Sequence, residues 1–201
     1  IYPKFSKQPI EEEELMGGKL EETNESYALA KIAGLRLCSS LRKQYGFDAI
    51  SLMPTNLYGP NDNFSEVDSH VIPGLIYRME KAKKENNPTF SIWGSGKPLR
   101  EFLHVDDLSN AIKFIIENEI NDNLINIGSG DEVSIKSIAE TIKKVSDYKG
   151  DLSFDTTKPD GNPRKLLDST KILKLGWKPQ ISLTDGLKTT YKWFKKNIDI
   201  S

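Results

Sequence analysis

Apolar side chains recur at helical spacing over residues 26–45 and predict the longest helix of the chain. A row of aliphatic side chains spaced four apart runs through this stretch: Leu29, Ala33, Leu37 and Leu41. Positions four apart share one face of an α-helix. Further apolar residues flank the row on both sides, which indicates a helix that packs against two partners. Gly46 follows and predicts the helix end, because glycine readily adopts the left-handed conformation found there.

A short buried strand is predicted directly after this helix. Residues 49–53 are mostly apolar, and the Pro- and Gly-rich stretch 54–60 follows them. A helix, a strand and then such a loop form one unit of a parallel α/β sheet. Ligands of these sheets bind beyond the carboxyl ends of the strands, so residues 54–60 are candidates for chemistry.

The remaining pattern alternates helices with strands and places the chain in the α/β class. Four more helices are predicted, with starts at Ser69 or His70, at Asp106 or Asp107, at Ser134, and at Ser182 or Thr184. Three more strands are predicted at residues 89–93, 124–127 and 152–154. The stretch 94–98 lacks the spacing of a phosphate-binding P-loop and predicts a hairpin turn.

The composition is that of an ordinary globular protein, and its net charge is close to zero. The 201 residues are 37% hydrophobic and carry a formal net charge of −1, which argues against non-specific binding to nucleic acid or membranes. No apolar run approaches the roughly 20 residues that span a bilayer. One cysteine, Cys38, and two histidines leave no cluster for a metal. We expect a cytoplasmic protein, with Cys38 as buried filler.

Tyr27 and Lys31 are the first candidates for catalysis. They lie one helical turn apart, where the ammonium group stabilises a phenolate and equips the tyrosine for acid–base work. Such a pair also arises by chance in many helices, as a core-edge tyrosine beside a solvated lysine. His70, at the start of a predicted helix, can exchange protons near neutral pH. A surface histidine without function is its common alternative, and His104 is interpreted as structural.

Several segments together resemble the extended short-chain dehydrogenase/reductases that act on nucleotide sugars. The similarity runs over essentially the whole chain and is carried by residues 27–34, 53–60, 69–73, 93–96, 100–107 and 158–168. Tyr-x-x-x-Lys and Arg-x-Phe-x-His-Val are shared across this class. Segments 53–60 and 158–165 resemble more specifically the members that convert GDP-4-keto-6-deoxy-D-mannose into GDP-L-fucose.

The resemblance implies a domain organisation. Residues 1–58 would be the C-terminal remainder of an NADP-binding Rossmann domain, and residues 59–201 mainly a smaller α/β substrate-binding domain. Part of residues 100–127 is a candidate for return to the Rossmann sheet. In that family a glycine-rich turn, a catalytic serine and a catalytic cysteine precede the segment that matches Ile1. We therefore expect a piece of a longer enzyme that is inactive alone, and Cys38 does not replace the catalytic cysteine.

The resemblance also implies roles for individual residues in 3,5-epimerisation and NADPH-dependent 4-reduction. Tyr27 would protonate O4, Lys31 would support Tyr27 and bind ribose hydroxyls, and His70 would move a proton during epimerisation. The residues expected at the NADP(H) cofactor are Tyr27, Lys31, Pro54, Thr55, Asn56, Leu57 and His70. The residues expected at the GDP-sugar are Asn56, Arg78, Trp93, Arg100, Asp160 and Lys165.

Alternatives remain for some residues and for the whole chain. Packing is an equal alternative for Trp93, and turn formation is one for Asp160 and Asn56. A homodimer through the Tyr27 helix is expected by analogy. Two other interpretations of the chain are a related nucleotide-sugar 4-epimerase or 4,6-dehydratase, and a non-catalytic fragment that binds nucleotide sugars or dimerises.

Overall fold

The computed structural model describes residues 1–200, which form an α/β structure. The helices are α1 (Glu25–Tyr45), α2 (Val71–Lys84), α3 (Val105–Glu117), α4 (Ile135–Ser146), α5 (Thr170–Lys174) and α6 (Leu183–Asn197). The strands are β1 (Ser51–Pro54), β2 (Asn56–Tyr58), β3 (Thr89–Trp93), β4 (Leu99–His104), β5 (Leu124–Ile127), β6 (Glu132–Ser134), β7 (Asp151–Asp155) and β8 (Arg164–Lys165). None of the helices in this part of the chain combines the length and apolarity needed to cross a bilayer.

Most strand pairs are parallel, which confirms the α/β class. β1 pairs with β5, β2 with β4, and β3 with β7, all in parallel. β4 also pairs with β8 in parallel and with β6 in antiparallel orientation. The β1–β5 pair places residues 124–127 beside the strand that follows α1. It supports the expected return of this region to the first sheet, while the division into domains stays a prediction.

Helix α1 ends as the sequence predicts, but it is covered on one side only. Gly46 adopts φ 66° and donates its N–H to the Arg42 carbonyl. Ala28 and Ile32 are the buried residues of the helix. Leu29 and Leu37 are 53% and 60% exposed, so the predicted packing against two partners is not present within residues 1–200.

Three apolar clusters stabilise the structure. The largest joins α2, α4 and α6 to β3 and β7, and includes the fully buried Met79, Ile138 and Phe194. The second packs α3 and Trp177 against β5. The third fastens the N-terminal segment through Tyr2 and Ile10 to α1 and β5. All three clusters include or contact residues of β1 or β2: Tyr58 in the first, Leu57 at the second and Met53 at the third.

β4 was not predicted from the sequence, and two helices begin differently from the prediction that Ser69 and Asp106 cap them. Arg100 and Glu101 are charged residues, which do not suggest a central strand. β4 nevertheless pairs with β2 on one side and with β6 and β8 on the other, and Glu101 is buried. The predicted cap at Asp106 is wrong, because His104 occupies that position and accepts the Asp106 N–H. Ser69 does not cap α2 either, since its hydroxyl donates to the Ser65 carbonyl.

Other missed elements are short. β2, β6 and β8 have three residues or fewer, and α5 has five. The hairpin predicted at residues 94–98 is also wrong. This segment connects β3 to β4, which pair with different strands.

Gly186 offers a test of the packing of α6 on β2. A Cβ at this position would lie 2.1 Å from the Tyr58 hydroxyl oxygen and 3.1 Å from the His104 ring. Alanine normally favours a helix over glycine by up to about 1 kcal/mol. Overpacking a core costs about 1–3 kcal/mol. We therefore expect Gly186→Ala to lower the free energy of unfolding, measured by urea denaturation, by about 1–3 kcal/mol.

Gly34→Ala is the matched control, because Gly34 lies in α1 with no heavy atom within 4 Å of its virtual Cβ. This substitution should raise the free energy of unfolding by up to about 1 kcal/mol. Equal effects of both substitutions would contradict the packing described here.

Candidate active site

A cavity of about 560 Å³ lies where β1 and β2 end. Side chains reach it from α1, from the β1–β2 segment and the loop after it, from the start of α2, from β4, and from the start of α3. The predicted site residues that line it are Tyr27, Pro54, Thr55, Asn56, Leu57, His70 and Arg100. Parallel strands place such a cleft beyond their carboxyl ends. The structure thus brings seven of the predicted residues to one cavity.

Tyr27 and Lys31 face the same side of α1. The Lys31 ammonium lies 5.5 Å from the centroid of the Tyr27 ring, within the range of a cation–π contact. Tyr27 is 56% exposed and its ring borders the cavity. The phenol is therefore accessible to a bound molecule and has a cation one helical turn away.

The wall formed by Thr55 and Asn56 is fixed by one main-chain carbonyl. Thr55 Oγ1 and Asn56 Nδ2 both donate to the carbonyl oxygen of Glu101, at 3.2 and 2.8 Å. Asn56 belongs to β2 and does not form a turn. Because both side chains share one acceptor on β4, the wall moves with that strand.

His70 occupies the N-cap position of α2, but its side chain makes no capping hydrogen bond. The exposed imidazole lines the same cavity as Tyr27. This arrangement leaves the ring available for proton exchange with a bound molecule.

Arg100 and Lys165 are paired across neighbouring strands. Their Cα atoms are register partners in the β4–β8 ladder. The Lys165 side chain is exposed, although its ammonium group is partly desolvated. This desolvation and the nearby Arg100 guanidinium lower the pKa of Lys165. Two cations held side by side favour an anionic ligand such as a phosphate group.

Five predicted site residues are not among those that line this cavity: Lys31, Arg78, Trp93, Asp160 and Lys165. Lys165 lines a separate pocket beside the N-terminal segment. The Arg78 guanidinium stacks over the rings of Trp93 and Phe90, at 5.1 and 5.5 Å from their centroids. Asp160 accepts the Ser95 N–H at 2.6 Å and the Ser95 hydroxyl at 2.7 Å. These hydrogen bonds lower the pKa of Asp160 and give it a structural role. Binding of substrate by Arg78, Trp93 and Asp160 stays a prediction.

Some cavity residues were not among the predicted site residues, although Phe102 and Val105 belong to the Arg-x-Phe-x-His-Val motif. Asn61, Asp62, Phe102 and Val105 also line the cavity. Pro54 to Pro60 pointed to this region, and a search extended by two residues into the following loop would have found Asn61 and Asp62.

A larger groove lies elsewhere, at the C-terminal end of α1. It has a volume of about 1070 Å³ and is bordered by Arg42, Phe47, Ile50 and Ile116. None of the predicted site residues lines it. The smaller cavity, which does collect predicted residues, is therefore the candidate active site.

His104 has the structural role that the sequence predicts. It is 2% exposed, and its Nδ1 accepts the Asp106 N–H at 3.2 Å, so the proton of the neutral ring resides on Nε2. Burial lowers the pKa of His104, while Asp106 and Asp107 oppose that shift. The imidazole is therefore held neutral at the N-terminus of α3.

This burial predicts a pH dependence of stability. Below about pH 6.5 the unfolded chain binds a proton at His104 more readily than the folded chain does. Stability should fall with decreasing pH, by at most about 1.4 kcal/mol per pH unit for one proton. His104→Asn keeps a capping oxygen without titrating, so urea unfolding of this variant between pH 7.5 and 5.5 should show a smaller loss.

His70→Asn is the control, since it removes the other, exposed histidine and should keep the pH dependence of the parent. If the His104 and His70 variants lose stability equally on acidification, the buried imidazole is not responsible.

Comparison with known proteins adds to this geometry. A family model described as the NAD dependent epimerase/dehydratase family matches residues 1–128. Putative GDP-L-fucose synthase 2 of Arabidopsis thaliana is 56% identical over 98% of this chain and 60% of its own length. GDP-L-fucose synthase of Escherichia coli strain K12 is 52% identical over 99% of this chain and 65% of its own length.

A solved structure shows the same fold. A GDP-L-fucose synthetase from Naegleria fowleri bound to NADP matches with a TM-score of 0.90 at 32% identity, over 98% of this chain and 63% of that chain. The chain thus spans about three fifths of the length of the curated relatives it matches.

Proposed function

This chain belongs to the NAD dependent epimerase/dehydratase family, and from that premise we propose that it serves the synthesis of GDP-L-fucose. The proposed reaction is NADPH-dependent 3,5-epimerisation and 4-reduction of GDP-4-keto-6-deoxy-D-mannose, carried out by the complete protein. One observation carries the proposal: a single cavity collects Tyr27, Asn56, His70 and Arg100 from four elements. The similarity to GDP-L-fucose synthases over 98% of the chain supports the choice of substrate.

The residues present fit the nicotinamide end of a cofactor. Pro54 and Leu57 supply an apolar wall, and Thr55 and Asn56 add polar groups to it. Lys31 offers an ammonium donor for hydroxyl groups beside Tyr27. The bound cofactor would supply the hydride for C4, and the choice of NADP over NAD is part of the proposal.

Proton transfer is the role proposed for the chain's own catalytic residues. The 4-keto group makes the protons at C3 and C5 acidic, and loss of either gives an enolate at O4. Inversion at each carbon needs a base on one face of the ring and an acid on the other. His70 would serve one face, and Tyr27 would protonate O4 during reduction while Lys31 stabilises its phenolate.

Charge and stacking support the binding of a GDP-sugar. Arg100 and Lys165 lie side by side, and we propose that they neutralise the diphosphate. Arg78 and Trp93 already stack on one another and would extend this site, with Asp160 fixing the adjacent loop. Exposed Leu29 and Leu37 on α1 support the remaining part of the proposal, a homodimer through this helix.

Tyr27→Phe tests the proton donor. In the complete protein we expect the rate constant for NADPH oxidation with GDP-4-keto-6-deoxy-D-mannose to fall by about 10²–10⁴-fold, because an acid–base group typically contributes that much. The measurement is absorbance of NADPH under saturating substrate. Tyr45→Phe is the control, since Tyr45 is 71% exposed at the other end of the same helix and should be silent.

His70→Asn tests the second role separately. Exchange of the C3 and C5 protons with deuterated solvent, followed by NMR, should slow by a similar factor. NADPH binding should weaken much less than the exchange slows. Wild-type turnover by the Tyr27 variant, or wild-type exchange by the His70 variant, would refute the respective assignment.

Two other functions predict different results with the complete protein. A related nucleotide-sugar 4-epimerase or 4,6-dehydratase would turn over its own substrate but leave GDP-4-keto-6-deoxy-D-mannose unchanged. A non-catalytic protein would bind a nucleotide sugar without oxidising NADPH.

A further inference from the structure

Glu101 is a fully buried carboxylate whose place in the site the sequence did not reveal. It lies in the middle of β4 and is 0% exposed. A buried carboxylate is costly unless hydrogen-bond donors surround it. Here Oε1 accepts the Gly130 N–H at 2.8 Å and Oε2 accepts the Leu167 N–H at 3.2 Å. Burial raises the pKa of Glu101, and these hydrogen bonds oppose the shift.

The loop after β5 is shaped around this carboxylate. A Cβ at position 128 would lie 2.2 Å from Glu101 Oε1, so glycine is required for the approach. Gly130, two residues later, adopts φ 80° and donates its N–H to the same oxygen. The loop therefore has little freedom to move while the carboxylate remains in place.

The main chain of Glu101 holds a third segment. Its carbonyl oxygen accepts hydrogen bonds from the side chains of Thr55 and Asn56, which form the cavity wall. Its neighbour Arg100 lines the cavity and pairs with Lys165 on β8, two residues before Leu167. One residue thus joins the cavity wall, the loop after β5 and the strand that carries the second cation.

We propose that Glu101 is a positioning residue for the anion-binding part of the site. Its carboxylate fixes the Leu167 end of the β8 segment and the Gly128–Gly130 loop against β4, which keeps Lys165 beside Arg100. The side chain itself does not touch the cavity, so it acts through these neighbours. The inference rests on the proposed function, because it assumes that the cation pair binds a diphosphate.

Glu101→Gln tests this role in the complete protein. Glutamine has the same shape but only one accepting oxygen, so either the Gly130 or the Leu167 N–H loses its acceptor. We expect the Kd for GDP, measured by calorimetry, and the KM for the nucleotide sugar to rise about tenfold, the effect of losing about 1.4 kcal/mol. The Kd for NADPH should change less than twofold, because the carbonyl that holds Thr55 and Asn56 is retained.

Asp107→Asn is the matched control. Asp107 is 2% exposed and its two oxygens accept the N–H groups of Gln180 and Ile181, at 2.9 and 3.0 Å. This substitution removes the same kind of interaction at the start of α3, and it should lower the melting temperature without raising the Kd for GDP. An equal rise in that Kd for both variants would reduce Glu101 to a general stabiliser and overturn the proposal.

Gly128→Ala keeps the test decisive if the Glu101 variant does not fold. The added methyl displaces the carboxylate while its charge remains, and it should weaken GDP binding in the same direction. If the parent binds GDP and both variants bind GDP as tightly as the parent does, this inference alone is wrong. If the parent does not bind GDP, the proposed function is wrong and the inference with it.

Discussion

The parallel pairing of β2 with β4 is the contact on which the candidate site depends. It aligns Asn56 with Phe102 and Tyr58 with His104. Residues of the segment after β1 and of the Arg100 motif therefore lie side by side in the sheet. Side-chain hydrogen bonds from Thr55 and Asn56 to Glu101 strengthen the same junction. Because cavity residues come from both strands, a slip of one residue in this register would turn each side chain to the opposite face.

The second requirement is the direction in which α1 presents its first turns. Ala28 and Ile32 are buried, and they fix the rotation of the helix. Tyr27, one position before Ala28, then borders the cavity, and Lys31 lies one turn further along. The apolar row at Leu29 and Leu37 remains exposed within residues 1–200. The same helix thus has one surface at the cavity and a second, apolar surface that is exposed within residues 1–200.

The sequence predicted the fold class and several of the residues that meet at the cavity, whereas the roles of these residues stay a prediction. Short motifs shared with the resembling family pointed to Tyr27, Asn56, His70 and Arg100, because such motifs can be recognised without knowledge of the fold. The helix ending at Gly46 and the strands at 89–93 and 124–127 followed from periodicity and glycine. β4 was not predicted, because the charged residues Arg100 and Glu101 are not typical of a central strand. The proposed role of Glu101 depends on hydrogen-bond partners 29 and 66 residues away. Such long-range contacts leave no local pattern.

A structure of the complete protein with a nicotinamide cofactor and GDP is the most direct test of the proposed site. We expect both molecules around the cavity of Tyr27 and His70, with the diphosphate against Arg100 and Lys165. A GDP molecule bound instead in the groove beside Phe47 and Ile116, with Tyr27 remote from both ligands, would contradict it.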